Sequence, residues 1–473
     1  MGIVRAFPVQ RQIEPFSVAV DAYHAAAPAQ CVTLLHGHVT AAAHVLRARA
    51  NLRLGQYNAA LATLELVDQS QLHSSLERSE FLVVRGAVET RLRDFDAARA
   101  TFDDARIYSI SAASASAEAE YHFYQGVWSF AALDFEQTDC EATAALTVEQ
   151  APFESAAYFV PLANTRARAM QLRGLVAAGR ERYREQTDCL RSAIFEMRRA
   201  ETSDLWIFAS LLMNLAFQVR DFDLTDDAQM LRDEMAIAQW PSELASMEFE
   251  IFRALGWSSA LRGNHLGALR DFRRSAECAP TSAQKIVAST DRAYIGREIG
   301  ETYSVREELE YAAALAKRVD WDAVGGDGDR FALVLLARQL AYFNVVQART
   351  TYERYRALKT KLPPGALNNF DRRIRAHEYV AEGTILRIEG KTEAARSRLI
   401  TAFKIWNQLG YDWLAATAAV ELLELEPNDT FEACADRAAK TRPNSWLARR
   451  LDIIKRRSGI TTQRFAQLAD RAS

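Results

Sequence analysis

The sequence predicts an all-α protein in which helical hairpins stack into a solenoid. Hydrophobic residues make up 49% of the 473 residues, and 20 Gly and 11 Pro are few for a sheet protein that needs a turn about every ten residues. A pattern of small and large residues also recurs along the chain. Such recurrence is typical of structures that grow by stacking repeats rather than by enlarging one core.

The best-preserved repeat spans residues 252–280. Gly256 and Ala268 are small where two antiparallel helices would cross, and Phe272 fills the gap one turn later. Pro280 ends the second helix because proline cannot continue the backbone hydrogen bonding. The offsets match the tetratricopeptide pattern W-x2-L-G…A-x3-F…P at Phe252, Leu255, Gly256, Ala268, Phe272 and Pro280. The stretch therefore resembles a tetratricopeptide repeat.

The same frame fits other parts of the chain. The small residue of the first helix recurs at Ala48, Gly86, Gly126, Gly174, Gly256, Ala293 and Gly383. The position sixteen residues later holds Leu64, Phe102, Ala142, Leu190, Phe272, Leu309 and Leu399. Two further helix pairs, centred near Met213 and Leu336, keep the helical period without the small residue. The spacing is irregular and longer than in regular tetratricopeptide arrays, which indicates long helices.

The resemblance implies a right-handed α-solenoid of about eleven antiparallel helical hairpins, similar to tetratricopeptide proteins. An opening pair at 16–26 and 28–35 and a closing pair at 411–425 and 431–440 are expected to cap it. Four segments follow: an N-terminal capping hairpin at 1–40, the main solenoid at 41–360, C-terminal repeats at 361–440 and a basic helical tail at 441–473. The Pro-Gly stretch at 361–369 is the expected joint before the C-terminal repeats.

Charge is distributed unevenly along the chain. The net charge is −3, so the protein as a whole carries no general attraction to nucleic acid or to an acidic membrane surface. Residues 437–473 depart from this average, with ten Lys and Arg against two Asp. This local net charge of +8 is enough to attract DNA.

Cysteine usage and hydropathy predict a cytoplasmic protein. The five cysteines are odd in number and far apart and form no C-x-x-C pair, which argues against a disulfide framework or a zinc ribbon and favours buried, reduced thiols. The opening residues lack the apolar core of a signal peptide. No run of about 18 apolar residues is present, so we expect no membrane partner.

The sequence carries no recognisable catalytic motif. G-x-S-x-G, H-E-x-x-H and Walker sequences are absent. His36, His38 and His44 are close in sequence, but on a helix the first two would point about 160° apart, with no Cys or acidic residue near to complete a metal site. We therefore predict no enzymatic activity, no cofactor and no metal.

The resemblance also implies a binding site, because the first helices of tetratricopeptide proteins line a concave groove that holds a peptide or a partner helix. Carried over onto this sequence, the expected groove residues are Arg49, Arg53, Arg91, Arg168, Gln171, Arg253, Trp257, Tyr294, Arg297 and Arg387. Guanidinium groups beside Trp257 and Tyr294 suit a peptide with acidic groups or a free carboxylate. The alternative is a solvated helix face held by salt bridges. The sequence leaves open whether the chain forms a homo-oligomer.

The end of the chain has three interpretations. Residues 411–427 resemble the end of the repeat domain of large LuxR-type transcription regulators, in which a DNA-binding helix-turn-helix follows. Residues 445–473 begin like such a domain but lack the recognition helix that enters the major groove. They form a basic amphipathic cap, a sequence-independent phosphate-binding arm, or a partial domain that a partner completes. The candidate nucleic-acid contacts are Arg449, Arg450, Lys455, Arg456, Arg457 and Arg464.

These observations together predict a bacterial-type adaptor or signal-sensing regulatory protein that binds a protein or peptide partner through a concave groove. The alternative is a transcription regulator whose repeat domain senses a ligand and whose basic tail, or a partner, contacts DNA. A weaker alternative is a regulatory subunit that gates an associated enzyme.

Overall fold

The computed structural model describes residues 15–149, 160–200, 204–222, 224–324, 327–359 and 369–457. In these ranges every element of regular secondary structure is helical, which confirms the predicted all-α class. The α-helices are α1 (Pro15–His24), α2 (Pro28–Leu34), α3 (Ala41–Arg53), α4 (Tyr57–Glu65), α5 (Ser75–Leu92), α6 (Phe95–Ser111), α7 (Ala115–Ala131), α8 (Phe135–Thr147), α9 (Leu162–Gly179), α10 (Tyr183–Arg199), α11 (Leu205–Phe222), α12 (Thr225–Ile237), α13 (Ala245–Leu261), α14 (His265–Cys278), α15 (Ser282–Ile299), α16 (Thr302–Arg318), α17 (Asp327–Arg330), α18 (Ala332–Leu340), α19 (Val345–Lys359), α20 (Asn369–Ile388), α21 (Thr392–Gln408), α22 (Asp412–Leu423), α23 (Asp429–Thr441) and α24 (446–457).

Consecutive helices pair in chain order. Ten such pairs are in contact among the described residues, from α1–α2 and α3–α4 to α20–α21 and α22–α23. Helices α11 and α12 follow one another between the fifth and sixth of these pairs, α17 is a single turn before α18, and α24 follows the last pair. This arrangement confirms the predicted tetratricopeptide-like repeat of about eleven hairpins. The expected opening and closing pairs are present as α1–α2 and α22–α23.

The small residues of the repeat frame lie where helices cross. A Cβ atom on Gly256 would stand 2.5 Å from a carbon of the Phe272 ring, which is closer than any real Cβ contact. Gly86 is packed in the same way against Phe102, at 2.8 Å. Glycine is therefore required at these two crossings because the aromatic ring sixteen residues later occupies the space of a side chain.

Polar residues set several helix starts. Ser74 and Glu77 form a capping box at α5: the Ser74 hydroxyl accepts a hydrogen bond from the Glu77 backbone, and the Glu77 carboxylate accepts one from the Ser74 backbone. Thr281 caps α15 by accepting a hydrogen bond from the Gln284 backbone N–H. These caps satisfy backbone donors that no helical carbonyl can reach.

The chain divides into two compact units, and the first boundary between them falls within α11. Unit 1 comprises Met1–Leu211 and Trp240–Leu244, and unit 2 comprises Leu212–Gln239 and Ala245–Ser473. The four segments expected from the sequence, 1–40, 41–360, 361–440 and 441–473, remain a prediction. Most of the expected Pro-Gly joint lies outside the described residues.

Unit 2 has a core to which its last helices contribute heavily. Trp257 of α13 and Tyr294 of α15 belong to the same buried cluster as Trp413 of α22 and Trp446 of α24. Helix α22 is buried on every side from Trp413 to Leu423, as expected for a helix without a continuous polar face. Burial of one such aromatic or aliphatic side chain contributes roughly 1.5–3 kcal/mol.

The thiols differ in one respect from the sequence-based expectation. All five cysteines are free, and Cys31 and Cys434 are buried as predicted. Cys189 and Cys278, however, are only partly buried, and Cys140 on α8 is exposed, so these three thiols depart from the prediction. Within the ranges that the structure describes, no helix combines the length and the apolar character needed to cross a bilayer.

Candidate functional site

The first helices of unit 1 lie side by side, since α1, α3, α5, α7 and α9 each contact the next helix of this series. The side chains that these helices direct toward one another are called here the first-helix layer of unit 1. Arg49 of α3 is 1% exposed and donates two hydrogen bonds to the carboxylate of Glu120 on α7, at 2.5 and 2.7 Å. Bidentate geometry of this kind offsets part of the cost of burying two charges.

A second carboxylate stands beside this ion pair. Glu80 of α5 lies 3.6 Å from Nη2 of Arg49. Burial raises the pKa of Glu80 to about 7, Arg49 lowers it and Glu120 raises it further. The guanidinium group of Arg49 thus lies close to two carboxyl groups. Because its pKa is raised, Glu80 keeps its proton at pH values at which an ordinary glutamate is ionised.

Another polar cluster joins α1, α3 and the start of α11. Nη2 of Arg53 lies 2.5 Å from Oδ2 of Asp204, and Nη1 donates to the backbone carbonyl of Tyr23 at 2.7 Å. The Arg53 guanidinium also stacks 3.5 Å from the centroid of the Tyr23 ring, and His24 Nδ1 lies 3.2 Å from Asp204 Oδ2. Burial alone would raise the pKa of Asp204, but Arg53 and His24 outweigh it and hold the pKa below its usual value.

Arg168 of α9 is placed differently from the other arginines of this layer. Its guanidinium lies 3.9 Å from the centroid of the Phe123 ring and 4.8 Å from that of Tyr124, both on α7. The side chain is half-buried, and no carboxylate among the described residues comes within ion-pair distance of it. Burial lowers the pKa of Arg168, but Tyr124, which hydrogen-bonds to the side chain, and the carboxylate of Glu120 raise it above its usual value. Gln171, one turn further along α9, donates from Nε2 to the Ser210 hydroxyl at 3.1 Å.

Arg91 is separate from this group. It lies in the last turn of α5 and is exposed. The first-helix layer of unit 1 therefore brings together Arg49, Arg53, Arg168 and Gln171 among the residues expected from the sequence. The surface around Arg91 stays a prediction.

In unit 2 the expected groove residues have partners within the unit. Nε of Arg253 lies 2.6 Å from Oδ2 of Asp291. Trp257 is 9% exposed, and its ring stands 5.3 Å from Tyr294 and 5.9 Å from Trp413. The sequence-based picture of Trp257 and Tyr294 as open contact surface differs from the structure here, because both rings are packed into the core of unit 2.

Glu421 of α22 organises the remaining arginines. It is fully buried and accepts hydrogen bonds from the Tyr342 hydroxyl at 2.6 Å and from Nη1 of Arg450 at 3.1 Å. Nη2 of Arg387 lies 3.1 Å from its second oxygen, and Nη2 of Arg338 lies 3.9 Å from the first. Burial alone would raise the pKa of Glu421, but these arginines hold it well below its usual value.

Arg297 completes this group from the last turn of α15. Its Nη2 lies 2.5 Å from the carboxylate of Glu298, and its guanidinium stacks 3.6 Å from the centroid of the Tyr342 ring. Arg387 also reaches Glu424, at 2.8 Å. The expected groove arginines of unit 2 therefore face carboxylates that the chain itself supplies.

The apolar face expected for the tail is buried. Trp446, Leu447, Leu451 and Ile454 of α24 all belong to the core of unit 2. The side chain of Arg450 is 11% exposed and pairs with Glu421 and Glu424, so its guanidinium faces carboxylates of this chain where a nucleic-acid contact was expected.

The other basic residues of α24 lie on its exposed side. Lys455 contacts Glu432 and Asp436, and Arg456 contacts Asp452 one turn away. Arg449 and Arg457 are exposed. Arg464 lies outside the described residues.

In the part of the chain that the structure describes, no group of three or more His, Cys, Asp or Glu side chains converges so as to hold a metal ion.

Comparison with known proteins finds similarity in three-dimensional structure only. No family model and no curated protein sequence matches the chain. The chain is similar to the apo form of RapI, with a TM-score of 0.43 and 10% identity over 81% of this chain and 97% of that one. It is also similar to the apo form of the quorum sensor NprR from B. thuringiensis, with a TM-score of 0.44, 10% identity and the same coverage.

A third similar structure is the APC/C hetero-tetramer Cut9–Hcn1, with a TM-score of 0.25 and 13% identity over 90% of this chain and 95% of that one. Scores and identities of this size describe a common helical-repeat arrangement and imply nothing about ligands or partners. The resemblance of the closing repeats to LuxR-type regulators stays a prediction.

Proposed function

We propose that this protein is a regulatory binding protein that takes an acidic segment of a protein or peptide partner at Arg168 of unit 1. Arg168 carries the proposal. It presents a guanidinium group on two aromatic rings, and among the described residues no carboxylate pairs with it. In this proposal the protein acts in the bacterial cytoplasm by binding and not by catalysis.

The chemistry of this position suits a carboxylate. A guanidinium stacked on Phe123 and Tyr124 keeps its plane fixed, so its nitrogen atoms can meet both oxygens of one carboxylate with little further loss of side-chain entropy. Arginine and aromatic residues also dominate the binding energy of protein interfaces. The partner's acidic group would supply Arg168 with the ion pair that Arg49 and Arg53 already find inside the unit.

A test begins with peptides selected from a random display library on the immobilised full-length chain. Their affinities for the wild-type chain and for Arg168→Gln are then measured by fluorescence anisotropy. We expect the selected peptides to be enriched in Asp and Glu and to bind Arg168→Gln at least about tenfold more weakly, the scale of one lost charged hydrogen bond.

Arg173 provides the matched control. It lies on the same helix, α9, but its Nε pairs with Asp139 at 3.1 Å and the side chain is 37% exposed. Arg173→Gln should leave peptide binding unchanged. Selected peptides that lack acidic residues, or that bind Arg168→Gln as tightly as the wild type, would rule out this site.

The second candidate function is contact with DNA through α24. The exposure of Arg449, Arg456 and Arg457 favours it, because these three basic side chains lie outside the buried apolar face of the helix. Replacing these three residues with Ala should abolish any binding of a labelled duplex at about 50 mM salt and remove its salt dependence. If the wild-type chain leaves duplex anisotropy unchanged at this salt concentration, α24 acts only as a cap.

A further inference from the structure

Several side chains of unit 2 carry buried hydrogen-bond donors that no described residue accepts, and five of these side chains lie close together. These five side chains are Tyr294 and Arg297 on α15, Arg338 on α18, Arg387 on α20 and Trp446 on α24. The donor atoms are Tyr294 Oη, Arg297 Nη1, Arg338 Nε and Nη2, Arg387 Nε and Trp446 Nε1. We call these five side chains the donor cluster.

The members of the donor cluster lie around two tyrosine rings. The Trp446 ring stands 5.1 Å from the ring of Tyr294, and the guanidinium groups of Arg297 and Arg338 lie 5.1 and 5.5 Å from its centroid. The guanidinium groups of Arg297 and Arg387 lie 3.6 and 5.8 Å from the centroid of Tyr342. The unmet donors of four helices thus meet in one neighbourhood.

Charge in this neighbourhood is not balanced. Its four guanidinium groups are those of Arg297, Arg338, Arg387 and Arg450, and its three carboxylates are those of Glu298, Glu421 and Glu424. One positive charge therefore remains among these residues.

Arg338 accounts for most of this excess. Its side chain is 9% exposed, and its Nη2 comes no nearer than 3.9 Å to Glu421. Oε1 of that carboxylate already accepts hydrogen bonds from Tyr342 and Arg450, and Oε2, which accepts no hydrogen bond from a described residue, lies 3.1 Å from Nη2 of Arg387. A buried guanidinium with unmet donors is costly, because it has lost water without gaining a hydrogen bond.

We propose that the donor cluster binds one oxyanion group, a carboxylate or a phosphate, of a small ligand. Indole and guanidinium nitrogens donate only, and a phenol hydroxyl can donate. In this proposal the oxyanion accepts hydrogen bonds from these donors and cancels the excess positive charge, whereas a cationic ligand would add to that charge. The ligand would join α24 to α15, α18 and α20.

This site is independent of the partner site proposed above, because it lies in unit 2 and uses none of the side chains around Arg168. Loss of peptide binding in Arg168→Gln would leave it unaffected. Failure of the oxyanion to bind would in turn leave the proposed partner site standing.

The test measures the thermal unfolding temperature of the full-length chain with increasing inorganic phosphate, and in a second series with acetate, at constant ionic strength. A saturable increase of about 5 °C is expected at a hundredfold excess over the dissociation constant. A response to phosphate alone identifies a phosphate-bearing ligand, and a response to acetate identifies a carboxylate-bearing one.

Two variants remove donors while keeping the volume of the core. Tyr294→Phe deletes only the hydroxyl, and Arg338→Met replaces the guanidinium with an apolar chain. Both should abolish the saturable increase. Tyr352→Phe is the matched control, because Tyr352 is also buried in unit 2 and its hydroxyl reaches the Glu378 carbonyl at 3.5 Å. The proposal is overturned if neither anion gives a saturable shift in the wild type, or if both variants retain it.

Discussion

Arg49 and Glu120 stand 71 residues apart in the sequence and form a bidentate ion pair inside unit 1. Removing one partner leaves the other charge buried and uncompensated. We expect Arg49→Ala to lower the free energy of unfolding by about 3–5 kcal/mol. Urea denaturation followed by circular dichroism measures this loss.

The exposed pair Arg306–Glu310 on α16 is the control for that experiment. Both side chains are largely exposed to solvent, and the two residues are one helical turn apart. Arg306→Ala should cost less than about 1 kcal/mol. If Arg49→Ala and Arg306→Ala lowered the free energy of unfolding equally, burial would not determine how much an ion pair contributes to stability.

Glu80 should make stability depend on pH. Its pKa rises from an ordinary 4.5 to about 7 in the folded chain, so the folded state binds the proton more tightly than the unfolded state. Its contribution is fully present below pH 4.5 and is lost as the pH rises through 7, by up to about 3 kcal/mol. Glu80→Gln should remove this slope in denaturation curves measured from pH 5 to 8, whereas the exposed Glu310→Gln should leave it. An unchanged slope in Glu80→Gln would exclude Glu80 as its source.

A side chain at Gly256 should disrupt the crossing of α13 and α14. In Gly256→Leu the added Cβ atom would lie 2.5 Å from the Phe272 ring. This overlap should lower the free energy of unfolding by about 3 kcal/mol. The double variant Gly256→Leu/Phe272→Ala should recover part of this loss, because the smaller residue frees the space. A double-mutant cycle on thermal unfolding measures the recovery, and strict additivity would refute the contact.

Trp257 should act on stability rather than directly on a partner. It is buried against Phe272, Tyr294 and Trp413, so Trp257→Ala should cost about 3–5 kcal/mol. The more exposed Phe343→Ala should cost less than half as much. A wild-type unfolding midpoint in Trp257→Ala would show that the ring does not contribute to the core.

Arg450 should likewise be structural. Arg450→Ala leaves Glu421 and Glu424 with fewer partners and should lower the free energy of unfolding by about 3 kcal/mol. Arg449→Ala, one residue earlier and exposed, should change it by less than about 0.5 kcal/mol. Similar unfolding midpoints for the two variants would contradict this division of α24.

The helical hairpins were predictable because their signal is local. Gly86 and Phe102, or Gly256 and Phe272, are sixteen residues apart, and a turn of fixed length brings them together. The apolar face of α24 was also readable from the spacing of Trp446, Leu447, Leu451 and Ile454. The frame fits less well at Gly126, whose nearest contact is Leu172 of the next repeat rather than the residue sixteen positions later.

The partners of the expected groove residues could not be predicted in the same way. Arg53 pairs with Asp204, 151 residues away, and Arg387 of α20 pairs with Glu421 of α22, and no local pattern encodes such contacts. One signal was available: Glu421 interrupts an otherwise apolar helix, and a buried carboxylate requires a cation nearby. Sequence reasoning recognised the arginines and overlooked the acids that pair with them.

The position of Trp446 against Tyr294 has a consequence for synthesis of the chain. At about 5–20 residues per second, the ribosome needs on the order of 10–40 s to proceed from Trp257 to Trp446. During that interval the aromatic surface of α13 and α15 lacks its cover and is exposed to chaperones. The ion pairs described in unit 1 involve no residue beyond Asp204, so they can form while most of unit 2 is still being translated.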